Sequence, residues 1–371
     1  LGFALGALPH ALWLRTQGWT MVGLIHDLKH SFRLLRLSPT FALVAAGTLA
    51  LGIGANASIF SLVNGLLFRA PAGIHEPDRL VQVARSYETD PRWDNLSWPA
   101  LKMIDREARA LSGVAGYASQ AFTMGRGEEA ERLLGEEVTG NYFQVVGVTP
   151  ALGRLLQPAD DVTPGGHAVV VLSHELWTER FGADPGLVGR TVLLGSAPYD
   201  VVGVAPPGFR GIEAIGTPPS LWVPAAQHPD IHGELPFDDW GWSWISAVGR
   251  LDEDVTFEEA EASMAVVADR LRRADPTNEG ILILLAGGVG LDPESRAEAR
   301  SLAAILALIV GVVLLLTCTN VANLLLARAA GRRTEVGVRR ALGAGRGRLM
   351  QQLMAESLVL ALISTLIALP M

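Results

Sequence analysis

Side chains able to do chemistry are few in this chain, and their spacings are poor for it. His228 and His232 stand four apart, which on a helix would turn two imidazoles toward one metal ion. Pro229 lies between them and breaks helical register, so the pair reads as an exposed loop. His174-Glu175 does not continue into His-Glu-x-x-His, and Ser173, Ser196 and Ser220 lack a Gly-x-Ser-x-Gly setting. The acidic run from Glu128 to Glu137 reads as a solvated face. Trp240, Trp242 and Trp244 alternate in DWGWSWI, which on a strand would put three indoles on one face. They could form a stacking platform for a ligand; packing against their own core is the expected role. No catalytic residue, metal or cofactor is therefore expected, and the chain is not read as an enzyme.

A different chemistry is concentrated in Arg332 to Gln352, RRTEVGVRRALGAGRGRLMQQ, which carries six arginines and one acid, Glu335. Nucleic acid is disfavoured, because the cluster has no aromatic residue to stack a base and is tethered between two apolar runs. The GAGRG stretch lacks the lysine of Gly-x-x-x-x-Gly-Lys-Ser/Thr, and the only lysines are Lys29 and Lys102, so this segment does not hydrolyse ATP by that route. A docking helix remains. Glu335 would lie near its start, Val336, Arg339, Arg340 and Leu342 would follow, and Gly343 would end it.

The elements around this segment need a solvent other than water. Hydrophobic residues make up 49% and charged residues 18%, against about 25% charged in ordinary soluble domains. Phe41 to Phe68 is 28 residues without a charge, and Ser301 to Ala327 is a second uncharged run. Each is long enough for roughly 30 Å of hydrocarbon. Residues 354–371 read as a third span, cut short. Ala46, Ala50, Gly54 and Ser58 recur every four residues in the first span and suit close helix packing. Thr317, Thr319, Asn320 and Asn323 in the second are costly against lipid and are expected to face another helix, with a transport path as the sharper alternative.

Charge sets the orientation. The whole chain carries −8, but residues 70–298 hold 17 basic and 35 acidic side chains, and the remainder is basic. Lys29, Arg33 and Arg36 precede the first span. Seven arginines, among them Arg328, Arg332 and Arg333, lie between the second and third. Positive segments stay cytoplasmic, so residues 69–299 are outside, in a multi-pass protein of the plasma membrane with a cytoplasmic N-terminus. Residues 1–20 read as a leader of uncertain status, with Met21 the more natural start. Residues 21–40 form an amphipathic helix suited to the interface. Spans at 41–68, 301–327 and 354–371 follow, with a cytoplasmic basic segment at 328–353.

The long loop mixes strand and helix without a regular alternation, giving an α+β domain inserted between spans one and two. Helices are expected over Ser97–Leu111 and Glu258–Arg273, and strands over Ala168–Leu172, Arg190–Leu194 and Tyr199–Ala205. Gly and Pro crowd Gly195–Pro219, where a subdomain boundary could fall. The one cysteine, Cys318, excludes an intrachain disulfide, so this domain must stand on its core.

Asn323 to Leu362 resembles the signature of FtsX-like permeases, the membrane subunits of the MacB class of ABC systems, at Arg332, Glu335, Val336, Gly337, Arg339, Ala341, Gly343 and Ala344. GNYFQVVGVTPALGR, VVVLSHELWTERFG and VVGVAPPGFRG resemble the MacB-like periplasmic core, and the N-terminal run resembles large duplicated permeases known from Acidobacteria. The resemblance implies a separate cytoplasmic ATPase docking on Arg332–Gly343, Arg333 and Arg340 included, and a second permease half or homodimer as a further partner. A membrane-anchored envelope sensor without an ATPase is the alternative.

Overall fold

The computed structural model describes residues 36, 39–67, 72–127, 130–213, 217–228, 237–275, 278–290, 293–331 and 346–368. It divides into two compact units, residues 1–65 with 301–371, and residues 66–300.

The first unit is helical. α1 (Pro39–Leu67) is 29 residues, about 43 Å long. α6 (Pro293–Gly331) is 39 residues and α7 (Arg346–Ala368) is 23. The stretches Ala42–Ile59 and Ser295–Asn323 are long and apolar enough to cross a bilayer, while the apolar part of α7, Ser357–Ile367, is shorter. α6 outruns the expected 301–327 at both ends, because a helix stops where its hydrogen bonding stops and not where charge begins. Ala45 is fully buried with Val359 and Leu360 of α7, and Ala46, Ala50 and Gly54 are buried as the small-residue spacing predicts, although Ser58 is exposed. A Cβ on Gly52 would sit 3.2 Å from the Thr317 hydroxyl of α6, so the helices approach where α1 has no side chain. Leu43, Leu51, Ile305, Leu308, Leu315, Leu326 and Leu366 are exposed, an apolar surface beyond what a water-facing bundle carries.

Of the four polar residues expected to face a neighbouring helix, only Thr317 is buried; Thr319, Asn320 and Asn323 are exposed. The Thr319 hydroxyl satisfies itself, donating to the Leu315 carbonyl one turn back at 2.8 Å.

The second unit is built on one long curled sheet. β1 (Leu80–Tyr87), β11 (Ser243–Leu251) and β12 (Ile281–Gly287) join the first half of β4 (Leu111–Met124) in the order β12-β1-β11-β4, all antiparallel. β2 (Asp90–Asp94) pairs with β1, and β3 (Leu96–Ser97) with β11. α2 (Trp98–Glu107) and α5 (Phe257–Ala274) cover this part. Leu101, Ile104, Met264, Val267 and Leu271 meet Val83, Ile245 and Ile283 in its core. Thr256 and Glu259 cap α5 reciprocally, side chain to backbone.

The second half of β4 belongs to a closed ring. β4 pairs with β5 (Glu131–Val138), β5 with β10 (Leu221–Pro224), β10 with β7 (Val169–Leu172), β7 with β9 (Ala197–Val204), β9 with β8 (Thr191–Leu194), and β8 returns to β4 at Met124. β6 (Leu152–Gly153) pairs with β9 outside the ring. α3 (Tyr142–Val146) contributes Tyr142 and Phe143 to an aromatic core with Phe209 and Trp222. Ser173 caps α4 (His174–Phe181), and Gly182, at φ +62°, closes it.

The α+β expectation holds, and the expected strands lie within a residue or two of those found. Ser97–Leu111 does not hold throughout: α2 stops at Glu107 and Leu111 already opens β4. Gly195–Pro219, where a subdomain boundary could fall, lies inside the one compact unit of residues 66–300. β4 runs 14 residues and is shared by both halves, and Gly195 instead makes the tight turn of the β8–β9 hairpin at φ +61°.

Candidate functional site

Arg332, Arg333, Glu335, Val336, Gly337, Arg339, Arg340 and Gly343 lie outside the described residues. What surrounds them is described: α6 delivers the chain at Gly331 and α7 takes it up at Arg346. The amphipathic segment at 21–40 and the leader at 1–20 also fall almost wholly outside. His232 does too.

Within the second unit, polar groups converge where sequence reading expected none. β5 carries Glu136 and Glu137 side by side, and both are buried, at 1% and 0% exposure. The run from Glu128 is thus no solvated face at its end. Glu136 accepts the indole N–H of Trp222 at 2.6 Å and lies 3.5 Å from the Tyr142 hydroxyl. Burial pushes its carboxyl up to about 8; the Trp222 N–H works against this, and the negative charge of Glu213 adds to it. Burial, and then the nearby Glu136, raises the Tyr142 hydroxyl in turn.

The neighbouring Glu137 meets Nδ1 of His228 at 2.5 Å. His228 is buried, not in an exposed loop, and its ring stacks on Trp244 with centroids 3.8 Å apart and planes 15° off parallel. Trp98 stacks behind Trp244 at 6.1 Å. Asp161, also buried, accepts from the backbone N–H groups of Gly140 and Ala226, with Lys102 Nζ at 3.5 Å. Burial raises its carboxyl, and the Lys102 charge opposes that. Each acid ties two segments far apart in sequence: β5 to β10, β5 to the turn after β10, and the loop before β7 to that same turn. Among the described residues, no three His, Cys, Asp or Glu gather as a metal site.

The signal for the buried pair was present in ERLLGEEV. Carboxylates embedded between Leu, Gly and Val in a strand pattern cannot all reach water, because alternation sends only every second residue outward. The three tryptophans do not share a strand. β11 begins at Ser243, so Trp242 precedes it; Trp242 is 43% exposed, while Trp240 and Trp244 pack on the core.

A cleft of about 370 Å³ opens beside this cluster, lined by Asn95, Ser119, Gln120, Glu213, His228, Trp242, Trp244 and Ser246 among others. It marks a seam in the sheet. The last rung between β4 and β11 is Tyr117–Ser246, after which β11 turns to pair with β3. The same edge of β4 regains a partner only at Met124, from β8.

Residues 42–267 match the family model of the MacB-like periplasmic core domain, and residues 307–371 that of the FtsX-like permease C-terminal. Macrolide export ATP-binding/permease protein MacB 1/2 of Paracoccus denitrificans (strain Pd 1222) is 27% identical over 268 residues, 70% of this chain and 38% of that protein. Macrolide export ATP-binding/permease protein MacB of Escherichia coli (strain K12) is 26% identical over 230 residues, 61% of this chain and 33% of that protein. The chain thus spans about a third of the length of these curated relatives. The crystallised periplasmic region of MacB from Actinobacillus actinomycetemcomitans is similar at 19% identity and TM-score 0.41, over 57% of this chain and 90% of that one.

Proposed function

The chain belongs to the MacB/FtsX-type family of ABC permeases, and from that premise we propose that it is a membrane subunit that couples a partner's ATP hydrolysis to movement of its outer domain. α1, α6 and α7 cross the plasma membrane, the N-terminus and residues 328–353 face the cytoplasm, and residues 69–299 face outward. A separate cytoplasmic ATPase docks on the segment carrying Arg332, Arg333, Glu335, Val336, Gly337, Arg339, Arg340 and Gly343. Nucleotide closure of that ATPase moves the spans, and the outer domain responds in export or in force transmission within the envelope. A second permease half, or a second copy of the chain, completes the unit.

The observation that carries this reading is the charge pattern within the matched region. An arginine-rich segment joins the long apolar helix α6 to the shorter apolar stretch of α7, while the domain between α1 and α6 in the chain is acidic. Arginines carried on a segment between two membrane helices suit an acidic face on a soluble partner. The test is Glu335→Arg combined with Arg339→Glu, co-expressed with the cognate ATPase. Stimulation of ATP hydrolysis should fall to the ATPase's basal rate while the chain still inserts. Undiminished stimulation, or no ATPase co-purifying at all, counts against coupling and for an envelope sensor.

A further inference from the structure

The seam beside β4 has the form of a strand-sized slot. Between the Tyr117–Ser246 rung and the Met124–Leu194 rung, residues 118–123 of β4 have no strand partner on that edge among the described residues. At about 3.4 Å per residue these six residues span roughly 20 Å. The direction of their backbone groups follows from the bonds at either end. Gly195 N–H donates to the Thr123 carbonyl at 2.6 Å, and Gly125 N–H donates to Leu193 at 3.0 Å, both on the β8 side. The Gly116 carbonyl accepts from Thr139 N–H at 2.9 Å, on the β5 side. Backbone groups alternate along a strand, so Ser119 and Ala121 turn their N–H and C=O groups into the open edge. Both residues are exposed, as is Thr123.

The slot's side walls are equally specific. At its β11 end the cleft presents the exposed indole of Trp242 and the carboxylate of Glu213. Ser246 donates to the Asn95 side-chain oxygen at 2.9 Å, which leaves the Asn95 amide nitrogen as a donor at the wall. Asp238 and Asp239, both exposed, flank Trp242 in the chain. The His228 imidazole on the floor is held by Glu137, and the domain as a whole is strongly acidic. No lysine or arginine lines the cleft, so a lysine or arginine side chain of a ligand meets the indole of Trp242 and the carboxyl group of Glu213 without a competing cation.

We propose that the β4 edge between β11 and β8 receives an extended, basic polypeptide segment, which adds as a strand along residues 118–123 with a cationic side chain seated against Trp242 and Glu213. The added segment pairs with Ser119 and Ala121 and bridges the gap between the two halves of the sheet. Binding at the slot requires no ATPase and is independent of the coupling role.

The test uses the full chain in phosphatidylcholine nanodiscs, with empty discs as blank. The probe is a fluorophore-labelled heptapeptide of alternating lysine and valine. Saturable anisotropy and slowed amide exchange at 119 and 121 are expected. Methylating the peptide's alternate backbone nitrogens should weaken binding at least about tenfold, since two hydrogen bonds are lost. Trp242→Ala, at an exposed site, should weaken it about fivefold. Ala121→Pro, which removes an N–H facing the slot, serves as a second variant if it folds. Equal binding of the N-methylated peptide, tighter binding of its glutamate counterpart, chitotriose binding in place of peptide, or no saturable binding would each overturn the proposal.

Discussion

The indole nitrogen of Trp222 donates to a carboxylate oxygen of Glu136 at 2.6 Å across the parallel β5–β10 pairing, deep in the aromatic core of the outer domain. A fully buried acid on a strand normally weakens a fold. Here it is stabilised by a donor that needs an acceptor in the same place, since a buried indole N–H without a partner is itself costly.

Glu136 should give the domain a distinctive pH dependence. Its carboxyl is raised from an ordinary 4.5 to about 8, so between those values the folded state holds a proton that the unfolded state has released. The contribution is fully present below about 4.5 and is lost as pH rises toward 8. Glu136→Gln keeps an acceptor for Trp222 and abolishes the titration. The melting temperature of the parent should fall between pH 5.5 and 8 more steeply than that of the variant, by at least roughly 3 °C. Parallel curves by scanning calorimetry would mean that Glu136 is already ionised when folded.

His228 and Glu137 should behave as one unit. His228→Ala leaves a carboxylate buried without its imidazole and removes the ring stacked on Trp244, at a cost of about 3–5 kcal/mol. Replacing both, Glu137→Leu with His228→Leu, should recover a good part of that loss, because no buried charge remains. Denaturant midpoints of the two variants decide the matter; a double variant less stable than His228→Ala would show that the pair itself is worth more than its desolvation.

Gly52 should tolerate no bulk. A Cβ there already stands 3.2 Å from Thr317 Oγ1, whereas one at Gly47 meets nothing within 4 Å. Gly52→Leu and Gly47→Leu gain the same helix propensity, so their difference isolates packing. Gly52→Leu should lower the detergent-solubilised melting temperature, and Gly47→Leu should not. Equal melting points would place α1 elsewhere relative to α6.

The proposed topology can be read by thiol labelling, since Cys318 is the chain's only cysteine and is readily replaced by Ser. In intact cells an impermeant maleimide should label Ser119→Cys and spare Gly345→Cys until the membrane is opened. The reverse pattern would turn the arginine segment outward and remove the basis for coupling.

The helical part of this molecule was legible because its signals are local. Phe41–Phe68 announces itself by the absence of charge, and the spacing of Ala46, Ala50 and Gly54 marks a buried face that ends before the exposed Ser58. Val169–Leu172 and Thr191–Leu194 were found as strands for the same reason: β-branched runs bounded by turns. Glu136, Glu137 and His228 were misjudged because their partners are 86 and 91 residues away, and a window of sequence shows an acid's neighbours but not its partner. The period-two spacing of the tryptophans in DWGWSWI mimics one strand face, whereas the strand starts only at Ser243.

By itself, then, the sequence determined the alternation of long apolar and polar segments, the sign of charge on each, and the α+β character of the large loop. These depend on composition and on periods of two to four residues. Tertiary structure alone decided that β4 serves both halves of one sheet, that a ring closes through Met124 and Leu194, and that an open edge is left between the halves. Strand pairing is a choice among distant partners, made by the free energy of closing long loops against the hydrogen bonds and apolar area gained. No local pattern encodes that sum.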